Sequence, residues 1–281
     1  MSLAARAAAA KITPKTTARI LILDIERLPG QATHHHRGLT ITGPFWDLNG
    51  WKSTIGYRLP PESVTEWPRT ICIAWAWYDK PRDVHFAAEW EQGGRHGMAR
   101  AAWDAYDEAD IVVGHNMAGF DAKHLKADWA ELGLPSPRPW QTVDTLKVAR
   151  SEFRFESNKL DALCKRLGVP AKTDKYDPTV AQRAVDGHGP SQKRIRKYNI
   201  GDIHATRALY DRLRPWIKGH PNLGLWSDAR SACPNCGGEK FEQMGDVTTP
   251  QTRYGALRCA HCEAPLRRTH LKQRVELRPA R

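Results

Sequence analysis

The sequence predicts an α/β protein, a mixed β-sheet flanked by helices, with a small unit at the C-terminal end. Three observations support this prediction. Short apolar runs such as 20–23 and 111–113 alternate with longer amphipathic segments, as in layered α/β folds. The segments 70–78 and 84–86 are separated by a short polar turn and read as an antiparallel hairpin, which makes the sheet mixed. Two CxxC pairs lie near the C-terminus.

The first strand is predicted within 19–30, where four apolar residues run into an Asp-Ile-Glu sequence. Side chains alternate along a strand, so Asp24 and Glu26 point to the same face near its end. A core strand has no structural use for two neighbouring like charges. We therefore interpret this strand end as part of a metal site rather than as a solvated terminus.

The passage 27–69 is polar, carries Gly and Pro, and is too long for a simple turn, so we expect a functional or accessory loop. Its His34-His35-His36 run is interpreted as solvated loop in preference to a set of metal ligands. The hairpin strands at 70–78 and 84–86 follow it.

The central part of the chain alternates predicted helices and strands. We expect a helix over 98–109, a strand over 111–114, a turn at 115–121 opening a helix that stops at Gly133, and a strand over 142–146. Asn158 is predicted to cap a helix that ends at Gly168, and 172–191 is predicted to be irregular. A long helix is expected over 191–216, followed by a linker over 219–227.

The charge balance favours an acidic partner. The 281 residues carry a formal net charge of +12 at a pI near 9.6, and nucleic acid is the simplest partner for such a chain. The excess is uneven, because 230–281 contains ten Lys or Arg against five Asp or Glu.

Cysteine usage and the absence of long apolar runs bear on the compartment. Four of the six cysteines form the CxxC pairs, whereas Cys72 and Cys164 lie in apolar surroundings typical of core residues. This distribution predicts a reducing compartment and a metal rather than a disulfide framework. No stretch reaches transmembrane length, and the Ala-rich start reads as a loose leader rather than a signal peptide. A cytoplasmic location is expected.

Two further acids occupy informative positions. Asp121 falls in the first turn of a helix after a buried strand, and Asp202 follows Tyr198 by four residues on one helix face. Four converging carboxylates would repel one another and stay ionised only with cations among them. Such an oxygen-rich site suits Mg²⁺ or Mn²⁺, and a pair of these ions supports in-line phosphoryl displacement.

The order of these motifs resembles the DEDD family of 3′–5′ exonucleases, which has the ribonuclease H-like fold. The motifs are DIE at 24–26, GHNxxxFD at 114–121 and YxxxD at 198–202. The resemblance runs from about 19 to 216 and includes VDTLKVAR at 143–150. It implies that four carboxylates hold two divalent ions, namely those of Asp24, Glu26, Asp121 and Asp202.

The same resemblance assigns a role to Tyr198. One branch of the family has a His five residues before the final Asp, where this chain has Lys197, and the other has a Tyr four residues before it. Tyr198 therefore places the chain in the Tyr branch, known as DEDDy, and would orient the attacking water. The ordinary pKa of a phenol is near 10, so it would position this water more than deprotonate it.

Several polar residues have two interpretations that stay open at this point. Asn116 contacts substrate or braces the Asp121 turn. Lys193, Arg194 and Lys197 contact the phosphate chain or form a solvated helix face. Asp144 reads better as a strand-end cap than as a second carboxylate around the metals.

The two CxxC pairs predict a structural zinc site. Cys233, Cys236, Cys259 and Cys262 have the spacing of a tetrahedral Zn²⁺ site on two tight turns, and four thiolates leave no open position. His261 lies inside the second pair and is not expected to bind the metal. The basic tail fits nucleic-acid binding, and docking of a replication protein is the alternative.

The sequence thus predicts four segments: a leader at 1–18, an exonuclease domain at 19–218, a linker at 219–229, and a zinc ribbon with a basic tail at 230–281. The expected activity is removal of nucleoside 5′-monophosphates from the 3′ end of single-stranded or frayed DNA, in replication, repair or proofreading. An exoribonuclease with the same chemistry and a non-catalytic nucleic-acid-binding scaffold are the alternatives.

Overall fold

A computed structural model describes residues 18–36, 38–49, 58–171, 174–227, 229 and 231–276. The strands are β1 (Ile20–Leu28), β2 (Gln31–His36), β3 (Leu39–Pro44), β4 (Val64–Glu66), β5 (Arg69–Trp77), β6 (Val84–Ala88), β7 (Ile111–Gly114), β8 (Gln141–Asp144), β9 (Phe241–Thr248), β10 (Thr252–Cys259) and β11 (Pro265–Arg274). The helices are α1 (Phe45–Leu48), α2 (Gly94–Glu108), α3 (Asp121–Glu131), α4 (Thr145–Glu152), α5 (Leu160–Leu167), α6 (Pro178–Val185) and α7 (Gly189–Leu213).

A five-stranded sheet in the order β6-β5-β1-β7-β8 forms the centre of the fold. Strand β1 lies in the middle, antiparallel to β5 and parallel to β7, and β7 is parallel to β8. The prediction of a mixed α/β sheet flanked by helices is confirmed. The parallel pairs require crossovers, which α2 and α3 supply.

The two faces of β1 pack against different helical layers. Leu21, Leu23 and Ile25 join the core that contains residues of α2 and α3, whereas Ile20 and Ile22 join the core that contains residues of α7. Because alternate residues share a face, the even-numbered acids that follow Ile22 project toward the α7 side. The sheet therefore directs Asp24 and Glu26 toward the helix that carries Asp202.

The passage 27–69 contains its own small sheet, in the order β3-β2-β4. The expectation that the histidine run is a solvated loop is wrong, because the run lies in β2 and pairs with β3. His34 is buried, and its Nδ1 lies 3.2 Å from Ser63 Oγ. The His35 Nδ1 lies 2.9 Å from Thr40 Oγ1. Strand pairing satisfies the backbone of this polar stretch, which composition alone does not reveal.

Three other local predictions need correction. The strand predicted over 142–146 ends at Asp144, whose side chain accepts from the amides of the first turn of α4. Asn158 does not cap α5; the capping position is Lys159, and the Asn158 carbonyl instead accepts a hydrogen bond from His115 Nε2 at 3.0 Å. Part of the irregular stretch 172–191 forms α6, because Asp177 caps it and Pro178 suits its first turn.

The C-terminal residues form a three-stranded antiparallel sheet in the order β11-β10-β9, which carries the four paired cysteines at one end. Within the predicted linker, Leu223 is fully buried and its amide donates to the Pro234 carbonyl at 2.8 Å. Within the described residues, no helix combines the length and apolar character needed to cross a membrane.

Candidate active site

Three carboxylates from two distant parts of the chain meet beside the central strand. One ligand oxygen from each of Asp24, Glu26 and Asp202 lies within 4.8 Å of the others, and Glu26 and Asp202 are buried. At this separation each pair of charges repels by roughly 3 kcal/mol at an effective dielectric constant near 20. A divalent cation bound by these oxygens would offset the repulsion between the carboxylates. The donor set therefore fits Mg²⁺ or Mn²⁺.

Asp121 lies beside this cluster, at the start of α3. Its Oδ1 accepts a hydrogen bond from the Ile25 amide at 3.1 Å, which ties α3 to β1 between the two strand acids. Burial raises the pKa of Asp121 to about 7, although this hydrogen bond opposes the shift; the charges of Asp144 and Asp202 raise the pKa further. A cation placed among these carboxylates would favour the ionised form of Asp121.

Asn199 is a site residue that the sequence analysis missed. It is fully buried on α7, and its Nδ2 donates to Asp24 Oδ2 at 2.8 Å and to the Asp24 carbonyl at 3.3 Å. On the other side of the amide, Cys72 Sγ lies 3.8 Å from Asn199 Oδ1. Its position three residues before Asp202 places both side chains on one helix face, which is the signal that could have identified it.

Tyr198 is half-buried on α7, one turn before Asp202. Its ring centroid lies 6.3 Å from that of Tyr176, a residue that the sequence did not single out. Tyr176 Oη donates to the Arg27 carbonyl at 2.6 Å, and burial, helped by the nearby Glu26 charge, raises the pKa of this phenol. Tyr176 thus attaches the segment before α6 to the end of β1 next to the acids.

The predicted phosphate-binding cations are exposed, and one of them is paired. Arg194 makes a two-point ion pair with Asp174, with distances of 2.7 and 2.9 Å. These hydrogen bonds lower the pKa of Asp174 to about 2. Lys193 and Lys197 are exposed on the same helix. Arg194 is therefore paired within the protein. The structure leaves open whether this helix face contacts phosphates or is simply solvated.

Asn116 and Asp144 organise the turn before α3. The amides of Asn116 and Ala118 donate to the Asp144 carboxylate at 3.0 and 3.1 Å. Asn116 has a positive φ of 66°, and its carbonyl accepts from the amides of the next turn. A Cβ at Gly119 would lie 2.7 Å from Asn116 Oδ1, so a larger residue there would displace the Asn116 side chain. Asp144 acts as the expected cap, and the Asn116 backbone braces this turn.

The second cluster consists of the four paired cysteines, all buried. The Sγ atoms of Cys233 and Cys262 are 3.7 Å apart, and those of Cys236 and Cys259 are 3.6 Å apart. These distances exceed a disulfide bond and match the separation of about 3.8 Å expected for thiolates around a tetrahedral Zn²⁺. The thiolate donor set therefore fits zinc.

Backbone amides and glycines complete the cysteine site. Gly238 N lies 3.4 Å from Cys236 Sγ, and His261 N lies 3.4 Å from Cys259 Sγ. A Cβ on Gly238 would lie 3.3 Å from Cys236 Sγ and 3.1 Å from the His261 Cβ, so a larger residue would crowd the turn. The side chain of His261 is not among the clustered ligands.

The cysteine cluster is attached to the end of α7. Asn235, inside the first CxxC pair, donates from Nδ2 to the carbonyls of Arg214 and Ile217 at 3.0 and 3.3 Å. The Arg214 side chain is fully buried, lies over the rings of Tyr78 and Tyr210, and pairs with Asp211 at 3.0 Å. The helix that carries Asp202 is therefore joined at its far end to the cysteine site.

Comparisons with known proteins agree with this architecture. Residues 94–174 match the RNase T family, which is described as an exonuclease family. The match contains Asp121 but not Asp24, Glu26 or Asp202. Among solved structures, a family B DNA polymerase from the hyperthermophilic archaeon Pyrobaculum calidifontis is similar, with 17% sequence identity and a TM-score of 0.50. No curated protein matches the chain.

The similarity covers 70% of this chain and 25% of the polymerase, so the chain spans about a quarter of the polymerase's length. At this identity the likeness concerns the fold. The family match identifies an exonuclease segment, and exonucleases are phosphodiester hydrolases that act on nucleic acid. The expected enzyme class is confirmed.

Proposed function

We propose that the protein is a two-metal-ion 3′–5′ exonuclease that releases nucleoside 5′-monophosphates from single-stranded or frayed DNA. The observation that carries this proposal is the approach of Asp24, Glu26 and Asp202 to within 4.8 Å of one another. Asp121 is tied to the same strand through the Ile25 amide. The preference for DNA over RNA, and for a role beside replication proteins, rests on the motif resemblance.

In this proposal the four carboxylates hold two Mg²⁺ or Mn²⁺ ions. When bound, such ions activate a water molecule and stabilise the leaving oxygen of an in-line phosphoryl displacement. The protein supplies position: Asn199 holds the Asp24 carboxylate, and the Ile25 amide holds that of Asp121. Tyr198 orients the attacking water from α7, and Lys193, Arg194 and Lys197 contact phosphates, with Arg194 exchanging Asp174 for the substrate. Asn116 adds a substrate contact from its turn.

The proposed zinc ribbon, residues 230–281, follows a linker at 219–229 and the exonuclease domain at 19–218. The leader at 1–18 lies almost entirely outside the described residues. One structural Zn²⁺ bound by the four cysteines would hold the C-terminal sheet together, because so small a unit has little apolar core of its own.

The test is a gel time course on 5′-labelled single-stranded DNA and RNA of the same sequence, with Mg²⁺, Mn²⁺ or EDTA. We expect ladders that shorten from the 3′ end, faster for DNA, and that disappear with EDTA. Faster cleavage of RNA would reassign the substrate. No cleavage of either polymer with any metal would remove the proposed activity and favour a binding protein of the same fold.

A further inference from the structure

Two adjoining clefts run from the neighbourhood of the acids to the C-terminal sheet. The first has a volume of about 270 Å³ and begins at Ala118 and Asp144. The second, of about 340 Å³, ends at Leu266 and Arg267 on β11. Both are lined by the same three residues, Trp216, Ile217 and Lys218. We call the two clefts together the junction groove.

The upper end of the junction groove lies near the candidate active site. Asp144 forms part of the groove wall, and its carboxylate accepts a hydrogen bond at 3.1 Å from the amide of Ala118, three residues before Asp121, so the groove reaches the turn that opens α3. The lower end lies at the far end of α7. From Asp202 to Trp216 the helix and its final turn extend roughly 20 Å, at a rise of about 1.5 Å per residue.

Trp216 is the feature of the groove that core packing does not explain. It is 56% exposed although it is one of the largest apolar side chains. One contact anchors it, an edge-on packing against Phe153 with ring centroids 5.4 Å apart. An anchored, exposed indole presents a flat surface on which a nucleobase can stack.

The charges along the groove suit a phosphate backbone. Lys147 is exposed at the upper cleft, and Lys218 is 83% exposed at the middle, where it pairs with Glu152 at 2.8 Å. Arg267 lies at the lower end with its guanidinium 4.5 Å from the Tyr254 ring centroid. Glu152 holds Lys218 at the groove wall and would release it to a phosphate, and the Asp144 carboxylate accepts hydrogen bonds from four backbone amides.

The sheet beyond Arg267 continues the same chemistry. Strand β11 has four Lys or Arg residues and no acid among its ten residues. Tyr254 pairs directly with Val247 and Leu271 on the neighbouring strands, so the three side chains share one face. Arg258 lies opposite Glu242 nearer the cysteines, and Arg267 lies beside the Tyr254 ring.

We propose that the junction groove binds the single-stranded nucleic-acid chain that enters the acidic site, with a base stacked on Trp216 and phosphates paired with Lys147, Lys218 and Arg267. This inference rests on the proposed function and extends it, because it gives the substrate a second attachment roughly 20 Å from the acids. A short substrate would reach only the acids, whereas a longer one would also reach the groove.

The experiment measures binding without cleavage, in the full chain carrying Asp24→Asn. Fluorescence anisotropy is recorded for labelled single-stranded DNA of about 4 and about 16 nucleotides, the range of single-strand site sizes. Trp216→Ala should weaken binding of the longer DNA by about 5- to 150-fold, the value of one stacked base, and leave binding of the shorter DNA unchanged. Arg267→Gln and Lys218→Gln should each lower the salt dependence of log K by about 0.7.

Matched controls make the result specific. Trp46→Ala removes another exposed indole, and Arg82→Gln removes an exposed cation on the β5–β6 turn; neither should change binding. Because Trp216 contacts Phe153, the melting temperature of Trp216→Ala is measured as well. Arg267 is exposed, so its replacement tests the groove even if the Trp216 variant is destabilised.

Unchanged affinity and salt dependence in the Trp216 and Arg267 variants would overturn the inference and favour a protein partner for this surface. Equal weakening of the short and long DNA would overturn it too. The proposed exonuclease activity is judged separately, from cleavage of the short DNA by the unmodified chain. A protein that cleaves the short DNA but shows no length-dependent loss in the variants would lose only the groove.

Discussion

The carboxylate cluster and the cysteine cluster are two groups of metal-ligating side chains among the described residues, and they are assembled in opposite ways. The carboxylates come from β1 and α7, and their sequence positions differ by 178 residues between Asp24 and Asp202. The four cysteines all lie within 233–262. The first group is held by the folded sheet and helix, whereas the second, with zinc bound, would hold together a small sheet that has little apolar core of its own.

This difference predicts opposite consequences of damage. Carboxylates that repel one another lower the stability of the fold, and the proposed catalysis requires them. Thiolates around a structural zinc are a requirement for the fold and have no open position for chemistry. Loss of an acid should therefore lower the activity and leave the stability unchanged. Loss of a cysteine should first lower the stability of the C-terminal sheet.

The largest effect is expected from Cys233→Ser. Structural zinc in small units contributes apparent binding free energies of about 10 kcal/mol or more, which is folding free energy. The C-terminal sheet should unfold and become sensitive to limited proteolysis, and hydrogen exchange should accelerate at Ile217, where Asn235 is attached. His261→Ala, in the same turn but outside the cluster, is the control. Full zinc content and an unchanged protection pattern in Cys233→Ser would contradict the assignment.

The next effect is that of Asp24→Asn on cleavage. Loss of one ligand from the acidic site should raise the activation barrier by about 4 kcal/mol or more, which is a rate loss of about 1000-fold. The melting temperature should stay the same or rise, because one repelling charge is removed. Asp83→Asn, on an exposed turn, should alter neither quantity. A variant that cleaves normally would show that this carboxylate is not part of the site.

A third prediction concerns pH and the junction beside the cysteines. Burial lowers the pKa of His220 to about 4; its Nε2 lies 2.6 Å from Tyr210 Oη, and its Nδ1 donates to the Pro221 carbonyl at 2.7 Å. The unfolded chain takes up this proton near pH 6.5 and the folded protein does not, so stability falls as the pH drops from about 6.5 to about 4. At the lower end of this range, the free energy of unfolding contributed by His220 has fallen by about 3 kcal/mol.

The measurement is the free energy of unfolding of His220→Gln against the parent across this pH range. Asp121, whose pKa is raised, contributes in the opposite direction, and the comparison cancels it. The difference between the two proteins should shrink or reverse at low pH, while the exposed His204→Gln should follow the parent. Parallel pH curves for the parent and His220→Gln would show that His220 is not held neutral.

The smallest effect is expected at the carboxylate cluster, from a residue that supports Asp24. Asn199→Ala removes the amide that donates to the Asp24 carboxylate. Asn199 thus contacts a proposed metal ligand without being one itself. Replacing such a residue typically lowers metal affinity or activity by about 10- to 100-fold. Titration of activity with Mn²⁺ distinguishes the two, because excess metal should restore the rate if the amide serves to position Asp24. An Mn²⁺ titration identical to that of the parent would assign Asn199 to packing alone.

The elements that the sequence predicted well are those with strong local periodicity. The strands β1, β5 and β7 and the helix α7 lie close to their predicted positions, because apolar runs and helical spacing leave little choice. The wrong predictions of secondary structure fall in polar segments. Strand β2 and helix α6 depend on partners elsewhere in the chain, namely β3 for the histidine run, β4 for the start of β2, and α7 for the short helix.

By itself the sequence determined the donor sets: four thiolates in two tight turns, and carboxylates on a strand end and a late helix. Within each CxxC pair the spacing also predicted a tight turn, whereas the pairing of β9 with β10 brings the two turns together. Only the tertiary structure decided that Asn199 supports Asp24, that Tyr176 lies beside Tyr198, and that Asn235 ties the cysteine turn to α7. These contacts join residues far apart in sequence, and the packing of α7 on the sheet brings them together.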